Sequence, residues 1–174
     1  MQGRREEAVE YTIREIEPRD NRDVERVIRS CLKEFGGDRE GTAWCDPDLG
    51  RFYELYQQEG CRYWVAVDGT DAVVGGAGIG PLENEAGVCE LQKMYCLPAA
   101  RGTGAARELM ARCLDYARTR YRRCYLETFS NMTAAQKFYA KHGFTRLASP
   151  MGGTGHFSCD VWYIKDLEDS SCCG

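Results

Sequence analysis

The chain has only two histidines, His142 and His156, and none of its ten cysteines stands in a Cys-x-x-Cys pair. No cluster therefore has the ligand spacing of a zinc site, and no metal is expected. Long apolar runs are missing too. No stretch approaches the roughly 18 apolar residues of a membrane span, and the segment from Met1 to Glu10 lacks the apolar centre of a secretory signal. Neither a membrane partner nor secretion is expected, so the chain reads as cytoplasmic, where thiols stay reduced. Positive charge is also short. The 23 Lys and Arg against 27 Asp and Glu leave a net charge of -4, which argues against a nucleic-acid partner or an anionic membrane. A cationic substrate suits this balance.

What remains has the make-up of a folded protein. Hydrophobic residues are 43% and charged residues 29%, far from the apolar-poor profile of a disordered chain. The length of 174 residues fits one domain over 1–174, with its core at 11–164. Cys31, Cys61, Cys89, Cys96, Cys113 and Cys124 stand at apolar-phase positions, where a thiol serves as a small hydrophobe. Cys172 and Cys173 precede Gly174 without forming a C-a-a-X box, and the sequence assigns them no role.

Alternation from Val9 to Glu17 predicts a first strand that ends at Pro18. A helix follows, capped by Asp20 or Asn21, with Val24, Val27, Ile28, Cys31, Leu32 and Phe35 at three- and four-residue steps before Gly36-Gly37. A second helix is expected from about Pro47 to Gln58, with Leu49, Phe52, Tyr53 and Tyr56 on one side. The period then changes to two. Arg62 to Val67 and Ala72 to Ile79 read as a hairpin joined at Asp68-Gly69, and Val88 to Leu97 as a third strand. A long helix carries Ala106, Leu109, Met110, Cys113, Leu114, Ala117 and Tyr121. After it come a strand at Cys124 to Thr128, a helix at Asn131 to His142, and strands at Phe144 to Leu147 and Phe157 to Ile164. The fold class is a mixed α/β sheet with flanking helices.

The most informative stretch is C-E-L-Q-K-M-Y-C-L-P-A-A-R-G-T-G-A-A-R-E-L-M, from Cys89 to Met110. A strand runs into a turn holding Arg101, Gly102 and Gly104, and a helix starts there. Free N–H groups at a helix start, backed by the positive end of the helix dipole, make a site for a pyrophosphate. A tight turn that needs glycine for shape alone has the same sequence. The segment lacks the third glycine of G-x-G-x-x-G and the Gly-Lys-Ser/Thr ending of a P-loop.

Here the chain resembles the GNAT (Gcn5-related N-acetyltransferase) superfamily. Arg101, Gly104 and Ala106 match its acetyl-CoA signature, and Asn131, Ala134, Ala135, Phe138, Tyr139, Gly143 and Phe144 match a pattern common further along. The order of elements is also similar. Phrases such as C-Y-L-E-T and T-G-H-F-S-C-D are similar to a bacterial branch that supplies no substrate. The resemblance implies a mostly antiparallel sheet, splayed where acetyl-CoA binds. It implies that the main chain of Met94, Tyr95 and Cys96 pairs with the pantetheine arm, and that Arg101, Gly102, Thr103, Gly104, Ala105 and Ala106 hold the pyrophosphate. It casts Asn131 as a partner of the pantetheine amide and Tyr139 as the residue beside the sulfur. A phenol has a proton to give at neutral pH, although Tyr139 also suits a core aromatic.

Acetyl transfer to an amine needs a base, because an alkylammonium has no lone pair. Glu90 is the first candidate: by the period of two it shares a face with Gln92, Met94 and Cys96, and it stands eleven residues before Arg101, a spacing similar to that of the catalytic glutamate in the histone-acetylating members of the superfamily. Apolar neighbours would push its pKa upward. Glu127 on the neighbouring strand is the second. By resemblance, the acceptor pocket draws on the first two helices, the loop between them and the loop before the last strand, which offer Phe35, Trp44, Asp46, Tyr53 and His156. Aromatics with carboxylates suit a cationic amine or a hydrophobic core. The expected activity is direct acetyl transfer from acetyl-CoA to a small-molecule primary amine. A protein lysine or N-terminal acetyltransferase and a non-catalytic acyl-CoA sensor are the alternatives, and a homodimer is expected because similar proteins often pair.

Overall fold

The computed structural model describes residues 10–168. Val9, at the start of the first predicted strand, and Cys172 and Cys173 lie outside them. The described strands are β1 (Thr12–Glu15), β2 (Arg62–Val67), β3 (Val73–Pro81), β4 (Val88–Cys96), β5 (Arg123–Thr128), β6 (Thr145–Leu147) and β7 (Val161–Asp166). The helices are α1 (Asn21–Glu34), α2 (Phe52–Leu55), α3 (Ala105–Arg118) and α4 (Thr133–Lys141). The strands form one sheet in the order β1-β2-β3-β4-β5-β7-β6. Only the β4–β5 pair in it is parallel, as a strand, crossover helix, strand connection through α3 requires.

Helices cover both faces of the sheet. On one, Leu109, Met110 and Cys113 of α3 pack with Ala77, Ile79, Cys89, Leu91 and Cys124. On the other, Val27, Ile28 and Leu32 of α1 pack with Phe52, Tyr63 and Val65. Cys31, Cys89, Cys113 and Cys124 are buried free thiols, filling space as small hydrophobes do. Among the described residues no helix is long and apolar enough to cross a membrane.

Three local expectations are corrected. Asp20 does not cap α1 with its side chain. Its carboxylate instead takes Arg14 through contacts of 2.6 and 3.0 Å and the Glu17 N–H at 2.8 Å. The second helix shrinks from the predicted 47–58 to the four residues Phe52–Leu55. The Asp48 N–H bonds the Asp46 side chain at 2.9 Å, an Asx turn that competes with helix, and Gly50 adds the cost of glycine inside one. Leu49, Phe52 and Tyr56 are nonetheless buried, so their spacing reported packing and not helix length. Finally, β7 starts at Val161 and not at Phe157. Ser158 is held on the earlier loop, its N–H on Gly41 O at 2.9 Å and its hydroxyl on Glu40 O at 2.8 Å.

Candidate active site

β4 pairs with β5 only from Val88 to Glu90, the last partners being Glu90 and Tyr125. Beyond that point β4 continues on β3 alone and the two strands diverge. The β3 register also slips: Gly78 pairs with Gln92 but Gly76 with Tyr95, so Lys93 and Met94 together face Ala77. This is a β-bulge. Lys93 carries it with φ of +50°, a left-handed conformation that costs a non-glycine residue energy. The bulge resets the alternation. Met94 and Cys96 pack with Leu91 on the α3 face, whereas Gln92 reaches the Tyr56 hydroxyl and Tyr95 packs on the α1 face. The expectation that Glu90, Gln92, Met94 and Cys96 share one face is therefore corrected: the period of two holds only up to Lys93.

The split opens a cleft of about 340 Å³ between α1, the end of β4 and the starts of α3 and α4. Met94, Tyr95, Cys96, Arg101, Gly102, Ala106, Asn131 and Tyr139 line it. Gly104 precedes α3 with φ of +93°, a geometry that glycine adopts without penalty. Ala105 donates its N–H to Thr103 Oγ1 at 3.3 Å. The amides of Ala106 and Arg107 follow in the first turn of α3, where no carbonyl lies a turn back. The Arg101 guanidinium binds Glu34 of α1 through contacts of 2.6 and 2.7 Å and the Cys96 carbonyl at 3.0 Å. Asn131 donates to Phe35 O at 3.0 Å. A main-chain edge without a strand partner, a helix start and an apolar wall together fit an acyl-CoA.

A pocket of about 690 Å³ lies on the opposite side of the split. Glu90, Gln92, Lys93, Asp46, Thr154 and His156 line it, with Glu40 and Glu83 among its other walls. A narrow passage of about 60 Å³ lies between pocket and cleft. Its walls are the diverging strands, Glu90 to Tyr95 and Leu126 to Phe129, with Tyr139, His156 and Cys159. Glu90 lines both pocket and passage, and Tyr139 both passage and cleft.

Burial sets the acidities here. Glu90 is 7% exposed, and desolvation pushes its carboxyl up to about 7, against the opposing pull of the Gln92 hydrogen bond and the Lys93 charge. Gln92 Nε2 donates to Glu90 Oε1 at 2.9 Å, and the Tyr56 hydroxyl donates to Gln92 Oε1 at 2.7 Å. Glu127 is also raised by burial, and it accepts a hydrogen bond from the Thr154 hydroxyl. Burial raises the Tyr139 hydroxyl far above the ordinary phenol range, which keeps it protonated. His156 is lowered to about 4 by burial and by Lys93, and is neutral at pH 7.

The structure thus gathers Glu90, Glu127, Tyr139 and His156 around one passage. It does not bring the three aromatics to the acceptor side. Phe35 lines the cleft beneath Arg101, whose guanidinium carbon is 5.5 Å from the ring centroid. Trp44 packs against the α1 core under Arg29, and the Tyr53 N–H donates to Asn21 Oδ1 at 2.8 Å while its ring packs on the same core. Sequence reasoning missed Lys93, whose ammonium meets Asp46 Oδ2 at 3.1 Å. The available signal was a lysine inside a strand that is otherwise rich in apolar residues. Among the described residues no group of His, Cys, Asp and Glu is placed to hold a metal.

A family model described as acetyltransferase (GNAT) family matches residues 24–144. The chain is 40% identical over 158 residues to the uncharacterized N-acetyltransferase YjgM of Escherichia coli (strain K12), covering 89% of this chain and 94% of that protein. Among solved structures, a GNAT-family acetyltransferase from Staphylococcus aureus Mu50 superposes with a TM-score of 0.79 at 22% identity, over 91% of this chain and 100% of that one. YncA of Salmonella typhimurium, solved with its cofactor acetyl-CoA, superposes with a TM-score of 0.71 at 21% identity, over 95% of this chain and 98% of its own. Both share the fold.

Proposed function

The chain belongs to the GNAT acetyltransferase family, and on that premise we propose that it moves the acetyl group of acetyl-CoA directly to the primary amine of a small molecule. The observation that carries this reading is the passage through the split sheet, with Glu90 at the pocket side and Tyr139 at the cleft side. The cleft holds the acyl-CoA: the main chain of Met94 to Cys96 takes the pantetheine arm, Asn131 its amide, and the loop from Arg101 to Ala106 the pyrophosphate. Bound there, acetyl-CoA supplies an acyl group activated as a thioester. The amine enters from the pocket. Glu90 takes a proton from it, directly or through one water, because an alkylammonium has no lone pair to attack with. The new bond joins amine nitrogen to acyl carbon, the carbon–sulfur bond breaks, Tyr139 gives its proton to the departing sulfur, and the extra proton on the new amide nitrogen leaves to solvent, from which Tyr139 regains its own. Main-chain N–H groups near Met94 polarise the carbonyl.

The size of the pocket supports a small acceptor over a protein lysine. Ser158 joins the loop before β7 to the loop after α1 through Gly41 and Glu40, bounding a pocket whose volume of about 690 Å³ is that of a small-molecule site. The test is to incubate the protein with acetyl-CoA and separate pools of amino acids, polyamines, aminoglycosides and short peptides, following CoA by chromatography. Acceptor-dependent CoA release in a small-molecule pool is the expected result. Release with peptides alone would replace the small-molecule reading by a protein acetyltransferase, and acetyl-CoA binding with no release in any pool would leave a sensor.

A further inference from the structure

The mechanism above leaves one buried charge in the acceptor pocket without a task. Lys93 and Asp46 form an ion pair of 3.1 Å, with side chains only 10% and 20% exposed, and both line the pocket beside Glu90. Taking two charges out of water is costly, so a buried pair is weak evidence for a contribution to stability. The pair is also incomplete as a structural clamp. An ammonium has three donors, and Asp46 is the acidic partner of Lys93 among the described residues. The other Asp46 oxygen is already occupied by the Asp48 N–H at 2.9 Å. The lysine therefore presents an ammonium with unused donors to a cavity.

The geometry points to Lys93 as the anchor for a carboxylate on the acceptor, so that the acceptor is of the α-amino-acid class, carrying its carboxylate next to the amine that is acetylated. This rests on the small-molecule amine reading and narrows it. The deep groups are the carboxyls of Glu90 and Asp46 and the ammonium of Lys93, with His156 neutral at pH 7. A zwitterion complements that set group for group: its ammonium falls to the carboxylates and its carboxylate to Lys93. A diamine would bring its second cation against Lys93. The remaining pocket carboxylates, Glu40 and Glu83, are exposed, and water screens them from the interior. The bulge supplies the placement. It inserts Lys93 into β4 three residues after Glu90, the last residue paired with β5, which brings an ammonium to the pocket that holds the base.

The test measures kcat/KM for a set of α-amino acids, each beside its carboxamide and its decarboxylated amine. The wild-type protein should prefer at least one free acid over its own amide and amine by about tenfold or more, as a charge-assisted hydrogen bond implies. Lys93→Met should remove that preference, chiefly through KM, and Lys93→Arg should restore part of it. A lysine that acted only on the ionisation of Glu90 would shift the pH profile for all three acceptor types and leave their ratio unchanged, which overturns the assignment. So does a wild-type protein that prefers the amines or amides, and this needs no variant that must fold. In both cases the amine-acetyltransferase reading stands. Acetyl-CoA binding with no turnover of any acceptor in the set or the pools would instead remove that reading, and this assignment with it.

Discussion

The Tyr63 hydroxyl donates to the main-chain oxygen of Lys93 across 2.9 Å, tying β2 to the bulge of β4 over the glycines of β3. A methyl group at Gly76 would lie 2.6 Å from that hydroxyl, and one at Gly78 would lie 2.5 Å from the same ring. The glycine strand is thus the floor that lets a tyrosine reach across and hold the bulge. Tyr63→Phe keeps the ring and removes the bond, leaving a carbonyl in a protein interior without its donor. A loss of about 1–2 kcal/mol in urea unfolding is expected, together with a lower kcat/KM, because the bulge places both Glu90 and the cofactor edge. Unchanged stability and turnover would show that the bulge holds itself.

Much of this arrangement was legible in the sequence, and what was not has one physical cause. The strand period, the Arg101 to Ala106 turn, and the burial of Val24, Val27, Ile28 and Leu32 are local patterns, and the structure follows them. The bulge is not local. Nothing in Q-K-M-Y marks Lys93 as left-handed; its main-chain oxygen is bonded by Tyr63 from thirty residues away, across the glycines of β3. Everything downstream of the bulge in β4 was therefore assigned to the wrong face, while Glu90, before it, was placed with Gln92 as found. The aromatics Trp44 and Tyr53 carried the same ambiguity. Their spacing signals a buried side, and burial against α1 serves it as well as a pocket does.

Arg101 should influence cofactor affinity through α1. Its guanidinium is held by both oxygens of Glu34 and by the Cys96 carbonyl, so the turn proposed to hold the pyrophosphate is fastened to a helix on the other side of the cleft. The pair is about a third exposed on each side, which limits its worth in water. Glu34→Ala should raise the Kd of acetyl-CoA by roughly two- to fivefold in calorimetry. A loss far above tenfold would mean that Glu34 does more than fasten the turn.

Tyr139 offers a cleaner separation of binding from chemistry. The ring packs against Phe144 and Tyr163, and Tyr139→Phe preserves those contacts. Only the proton is lost. If that proton goes to the departing sulfur, kcat should fall by about 10²-fold while acetyl-CoA affinity stays within a factor of about two. Equal losses in both would make Tyr139 a packing residue.

Glu90 ties activity and stability to one ionisation. A base must be ionised to accept a proton, so with its carboxyl pushed up to about 7 by burial, kcat/KM should climb as pH rises through 7 and level off above it. Glu90→Gln should lower kcat/KM by about 10²-fold and flatten that limb, leaving the Kd of acetyl-CoA nearly unchanged. The same burial has the opposite effect on stability. The folded protein binds this proton more tightly than the unfolded chain, whose carboxyl titrates near its ordinary 4.5. Its contribution is fully present below that value and is lost as pH rises through about 7. At pH 8 the wild type holds a buried carboxylate that the glutamine variant lacks, so Glu90→Gln should unfold at higher urea than the wild type there and lose the advantage near pH 4. A variant that is slower at every pH, with a stability advantage that builds from about pH 4.5 and levels off above about 7, would identify Glu90 as a residue kept for chemistry against the interest of the fold.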